Sequence, residues 1–174
     1  GNGALFCSMK LNLQWNKNTS WIACFDILGF KELVKFEENS ESKLKYIMED
    51  YEGILDDVKD SLNFGEGDVT CCWISDTFIF YTQSADRNSF IAIKDVATQF
   101  IESCIARLVP IRGAITAGHI VFTSDHRVFM GSGFIEAFEY AEAQDWIGLL
   151  LTKSALTTIN QFELGVNLDS FVES

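Results

Sequence analysis

Short, nearly unbroken apolar runs alternate along the chain with longer stretches whose apolar residues recur every three or four positions, a pattern that predicts strands and helices in turn. Trp21-Ile-Ala-Cys-Phe-Asp-Ile27 is the first run, closing on Gly29, and predicts a central strand buried on both faces. One charge, Asp26, interrupts it. Residues 31–36 and 42–62 carry the helical period, the second with Leu44, Ile47, Met48, Tyr51, Ile54, Leu55, Val58 and Leu62 on one stripe. Residues 69–74 and 77–82 are β-rich runs split only by Ser75-Asp76, which predicts a tight hairpin with Asp76 at its tip. A third helix follows from Phe90 to Leu108, ended by the chain's one proline, Pro110. Strands at 111–117 and 118–123, a turn at 124–127 and a short strand at 128–130 predict a second hairpin. Gly131-Ser-Gly133 opens a helix to about Gln144; a strand at 146–152 and a helix at 153–162 close the pattern. The expected fold is α+β, a mixed antiparallel and parallel sheet with helices packed against it.

The chain has 174 residues, 48% of them hydrophobic and 22% charged, enough for one self-sufficient core. No linker or repeat divides it, so 1–174 reads as a single domain with a core at roughly 20–152 and an N-terminal extension at 1–19. A formal charge of −12 repels phosphate backbones and anionic lipid alike, which argues against nucleic acid and membrane as partners. A small polyphosphate remains open where carboxylates hold a divalent cation. Five cysteines, with no CxxC pair and both histidines (His119 and His126) remote from them, read as reduced thiols rather than a zinc site. No run reaches the length of a membrane span and no secretory leader is visible, so a cytoplasmic setting is expected.

Asp26 and Asp76 stand out because each sits at the end of an apolar strand, where a solvated charge is out of place. Such a group needs a cation, hydrogen bonds or an upward pKa shift, and two converging from separate strands suit a metal. The competing reading is that each caps a turn by accepting backbone N–H bonds.

Phe25-Asp-Ile-Leu-Gly-Phe30 resembles the strand-to-helix motif of class III nucleotide cyclases. Ile74-Ser-Asp76, 50 residues beyond Asp26, is similar to that family's second aspartate hairpin. Ile111-Arg-Gly-Ala-Ile-Thr-Ala-Gly118 and Phe129-Met-Gly-Ser-Gly-Phe-Ile-Glu-Ala137 resemble the strand, hairpin and glycine-led helix that complete the catalytic sheet. The resemblance spans roughly 20–152 and implies a class III cyclase-like fold on a ferredoxin-like βαββαβ core. It implies an enzyme that turns a nucleoside triphosphate into a 3′,5′-cyclic monophosphate and pyrophosphate. By the same resemblance Asp26, Asp76 and the Ile27 carbonyl would hold two Mn2+ or Mg2+ ions. Leu28, Gly29 and Phe30, at a helix N-terminus with free N–H groups, would bind phosphates together with Arg112. For Arg112 an ion pair is the competing reading.

Departures bear on the base. Where purine cyclases place polar base-reading side chains, this chain has Cys71, Cys72 and Trp73, then Val128, Phe129 and Met130, and a purine edge left unpaired there would be disfavoured. The family's Asn and Arg on the glycine-led helix fall at Ile135 and Glu139. The subgroup most resembled, on Phe25-Asp-Ile-Leu-Gly-Phe30, Ile74-Ser-Asp76, Ile111-Arg-Gly-Ala114 and Gly133-Phe-Ile-Glu-Ala-Phe-Glu139 with Gln144-Asp-Trp146, is the bacterial pyrimidine cyclases of Pycsar antiphage defence, which make cyclic UMP or CMP. Cys72, Trp73, Val128 and Tyr51 are the base-contact candidates, Tyr51 also fitting an ordinary core position on its stripe. The family forms its sites between two chains, so the resemblance implies a homodimer, with a separate effector protein reading the product. A non-catalytic cyclase-fold binding module and a purine cyclase with an atypical base pocket remain alternatives.

Overall fold

Eight strands and five helices follow one another in this computed structural model, which describes residues 13–15, 19–37, 41–61, 69–123 and 129–161. The central element is β2 (Ser20–Ile27), whose alternate side chains enter two separate cores. α1 (Phe30–Glu37) and α2 (Glu41–Ser61) lead to the hairpin of β3 (Val69–Ile74) and β4 (Thr77–Thr82). α3 (Arg87–Ala106) crosses to β5 (Ile111–Gly118); β6 (Val121–Thr123), β7 (Phe129–Met130), α4 (Ser132–Glu142), β8 (Gly148–Leu151) and α5 (Lys153–Gln161) complete the chain.

The main sheet has the order β3-β4-β2-β5-β8, antiparallel throughout except for the parallel β5–β8 pair. Its first four strands, with their crossover helices, are the ferredoxin-like core expected from the sequence. On one face Trp21, Phe25, Phe78 and Phe80 pack with Ile54 and Val58 of α2, Phe90, Ile93 and Phe100 of α3, and Ile159 of α5. Phe25, Phe78, Phe80 and Phe100 form a ring cluster with centroids 4.9–5.9 Å apart, so the aromatic runs of the sequence become one continuous core. The other face carries Ile22, Cys24, Ile79 and Tyr81 against Ala137 of α4.

Two helix ends show how local sequence sets these elements. Asp86 caps α3, its Oδ1 accepting the Ser89 N–H at 2.8 Å. At the other end Leu108 donates to the Ile105 carbonyl at 3.0 Å and Val109 to that of Cys104 at 2.8 Å, a Schellman motif that puts Leu108 at φ 60°. The helix therefore stops at Ala106, short of the Leu108 that the apolar period reaches.

The N-terminal extension contributes a strand, β1 (Leu13–Trp15), paired antiparallel with β6. One expectation needs correction. The second hairpin does not complete the main sheet; β6 and β7 join β1 in a separate three-stranded sheet. The run 111–123 breaks at His119-Ile120 because the His119 carbonyl accepts the Gly133 N–H of α4 at 3.1 Å instead of a ladder bond.

Candidate active site

Strand alternation puts Asp26 on the α4 face of β2, opposite Thr77 on one side and Arg112 on the other. The chain then turns through Gly29 at φ 75°, a left-handed conformation suited to glycine, and the Gly29 carbonyl accepts the Leu33 N–H at 3.0 Å as α1 begins. Asp76 arrives from the β3–β4 hairpin, whose two-residue turn places Ser75 at φ 59°. Ile27 donates its N–H to the Asp76 carbonyl at 3.2 Å, joining the strand end to the hairpin tip.

These elements border a cleft of roughly 240 Å3 that includes Asp26, Asp76 and Arg112, with Phe138 and Glu142 from α4. Four carboxylates line it against two cations, Lys31 and Arg112. Arg112 donates Nε and Nη2 to Asp26 Oδ2 at 2.8 and 2.6 Å, and Nη1 to the Gln144 carbonyl at 2.6 Å. Burial raises the Asp26 carboxyl above its ordinary value; the Arg112 hydrogen bonds and charge lower it, while Asp76 and Glu142 push it further up. Among the described residues no group of three or more His, Cys, Asp or Glu side chains can hold a metal. Asp26 and Asp76 remain a hard-oxygen pair, which fits Mg2+ or Mn2+ because these ions take one or two protein carboxylates and complete their shells with phosphate and water.

The structure brings six of the expected residues to this cleft: Asp26, Ile27, Gly29, Phe30, Asp76 and Arg112. Leu28 adjoins them, but its N–H is donated to the Pro110 carbonyl at 2.9 Å, so its amide is already engaged. Tyr51 is 3% exposed in the core, with Phe30, Trp73 and Phe78 rings at 6.3, 5.8 and 6.0 Å. The helical stripe that carries it explains this placement. Trp73 stacks flat on its cross-strand partner Phe78 at 5.4 Å and donates Nε1 to the Ser75 carbonyl at 2.5 Å. Cys72 lies on the opposite face of β3, so these neighbours do not line one pocket. Val128 lies outside the described residues. Glu142, Phe138 and Gln144 were not foreseen as site residues, although Phe134, Phe138 and Glu142, each four apart, share one helix face.

The architecture is the class III cyclase catalytic fold. Similar solved structures include the adenylyl cyclase CyaB from P. aeruginosa, at TM-score 0.56 and 19% identity over 87% of this chain and 84% of that one. The catalytic core of a rhodopsin-guanylyl cyclase with converted specificity, in complex with ATPαS, matches at TM-score 0.60 and 13% identity over 84% and 83%. A class III adenylyl cyclase-like ATP-binding protein from Pseudomonas aeruginosa matches at TM-score 0.61 and 15% identity over 84% of this chain and 35% of that one. No protein-family model matches the sequence, and neither does any curated protein. No helix among the described residues is long and apolar enough to cross a membrane.

Proposed function

We propose that the protein is a metal-dependent nucleotide cyclase. The observation that supports this most is the meeting of two strand-end aspartates, Asp26 and Asp76, with Arg112 in one cleft of a cyclase fold. In the reaction the ribose 3′-oxygen attacks the α-phosphorus, the bond from that phosphorus to the α–β bridging oxygen breaks, and pyrophosphate leaves while the hydroxyl proton passes to water. Two Mn2+ or Mg2+ ions at Asp26, Asp76 and the Ile27 carbonyl would supply Lewis acidity to the 3′-oxygen and the α-phosphate. The chain's own part is to bind and orient the substrate. The Gly29 and Phe30 amides at the start of α1 receive phosphate oxygens, and Arg112 adds a forked cationic donor.

The finer reading is a pyrimidine substrate, UTP or CTP. It rests on the motif resemblance; Cys72 and Trp73, on opposite faces of β3, do not together enclose a base. With it come a homodimer whose sites lie between chains, a cytoplasmic setting and a separate effector that reads the cyclic product in antiphage defence. Ile74, Met130 and Ile135, each about half exposed, are consistent with a partner surface. Conversion of a nucleoside triphosphate into its cyclic monophosphate with Mn2+, lost in Asp76→Asn, tests the reading.

A second reading is a nucleotide-binding module without turnover. Ile135 and Glu139 favour it by replacing the family's polar pair, and one similar structure is described as a cyclase-like ATP-binding protein. Nucleotide binding without any cyclic product would establish it. Adenylyl and guanylyl cyclases among the similar structures keep a purine substrate as the third possibility.

A further inference from the structure

Arg112 is the cross-strand partner of Asp26, and a single oxygen, Oδ2, accepts both of its inward N–H groups. The remaining terminal nitrogen, Nη1, is held differently, by the Gln144 carbonyl. That carbonyl is itself fixed, because the Gln144 side chain, 4% exposed, donates Nε2 to the Gly113 and Tyr140 carbonyls at 2.9 and 3.1 Å. One edge of the guanidinium thus rests on rigid backbone and the other on the carboxylate assigned to the metal.

The two Arg112 donors fill the lone-pair directions of Oδ2, so a divalent cation that takes this oxygen displaces the guanidinium, whereas one held on Oδ1 alone would leave the pair in place. On Oδ2 the two cations compete for the same lone pairs and repel each other at that range. A guanidinium edge released from Asp26 is in turn left with two donors to satisfy in a cleft where phosphate oxygens, which accept such a fork in parallel, would arrive.

We propose that Arg112 is a displaceable internal cation: it holds Asp26 Oδ2 until a divalent cation takes that oxygen, then passes its freed edge to the triphosphate while Nη1 stays on Gln144. The proposal rests on the reading of Asp26 as a metal ligand. Metal and nucleotide are then coupled through one side chain, each raising the affinity for the other.

The test is Mn2+ binding to the intact chain without nucleotide, read from loss of the free-ion electron paramagnetic resonance signal. Arg112→Gln should bind Mn2+ about 10-fold more tightly than wild type, within the usual range of such couplings. Lys31→Gln, which removes a cleft cation that makes no hydrogen bond to Asp26, should change it far less. Equal tightening in the two variants would reduce the effect to net charge and overturn the exchange. Arg112→Lys, which keeps the charge and loses the paired donors, should fall between wild type and Arg112→Gln, and it gives the answer if the Gln variant fails to fold. Asp26→Asn separates the two ways of failing. Mn2+ binding lost in Asp26→Asn but unchanged in both Arg112 variants leaves the metal reading standing and removes the exchange. Mn2+ binding intact in Asp26→Asn removes the metal reading itself, and the exchange with it.

Discussion

Ile27 donates its backbone N–H to the Asp76 carbonyl at 3.2 Å, so the end of β2 and the tip of the β3–β4 hairpin are fixed to each other by main chain rather than by side chains. The Asp26 and Asp76 carboxylates are therefore free to be altered without releasing the two segments. Asp76→Asn should lose cyclase activity by about 100-fold or more, the scale of several kcal/mol of charge stabilisation, and keep its circular dichroism spectrum and melting temperature. Activity within a few-fold of wild type would remove Asp76 from the chemistry.

Asp26 makes a stability prediction whose sign is opposite to that of an ordinary salt bridge. Its folded pKa is raised from 3.8, chiefly by burial, despite Arg112. The stability associated with the protonated form is fully present below 3.8 and is lost as pH rises through the folded pKa. Asp26→Asn, neutral at every pH, should thus melt no lower than wild type at neutral pH in the absence of divalent ions, with the difference closing as pH falls toward 3.8. A clearly lower melting temperature at neutral pH would mean that the Arg112 pair outweighs the cost of burial. A destabilising carboxylate kept at a strand end is what a functional site leads one to expect.

Leu108 occupies the left-handed position of the α3 Schellman motif at φ 60° while its side chain is 90% exposed. It forfeits little packing and bears the steric cost of that conformation. Leu108→Gly should stabilise the protein by about 1 kcal/mol in thermal or urea unfolding. Cyclase activity should be unchanged, since the residue does not border the cleft.

The Gly118–Gly133 contact runs the other way. A Cβ on Gly133 would lie 2.6 Å from Ile22 Cδ1 and 2.9 Å from two backbone atoms of Gly118, so β5 and α4 meet backbone to backbone. Gly133→Ala should cost about 1–3 kcal/mol by overpacking and lower activity by shifting α4, which carries Phe138 and Glu142 to the cleft. An unfolding midpoint equal to wild type would show that α4 moves aside freely.

Much of this arrangement was legible in the sequence. Apolar runs and helical periods place every described element from β2 to α5 within a few residues, most clearly β2, buried along nearly its whole length, and the amphipathic helices. Asp26 was visible as a charge inside an apolar run, and Asp76 as the acid at the tip of a hairpin between two such runs. What was hidden depends on register and on contacts remote along the chain. The Asp26–Arg112 bond joins residues 86 apart and follows only once β2 is known to lie beside β5. β1 is too short to show a period and exists through its pairing with β6. Tyr51 was legible in both of its readings, and its packing against Trp73 and Phe78 is the core position that its helical stripe predicts. The departure at Leu108 was obscured because an apolar residue in helical phase stands where a glycine would have marked the helix end.

The central claim is tested most directly by incubating the purified protein separately with ATP, GTP, CTP and UTP, in Mn2+ or Mg2+, and identifying products by chromatography and mass spectrometry. The account predicts a 3′,5′-cyclic pyrimidine monophosphate and pyrophosphate, absent in Asp76→Asn and on chelation of the metal. A cyclic purine product would keep the enzyme and overturn its base preference; no cyclic product from any of the four, with the protein folded and the nucleotide bound, would contradict the cyclase assignment.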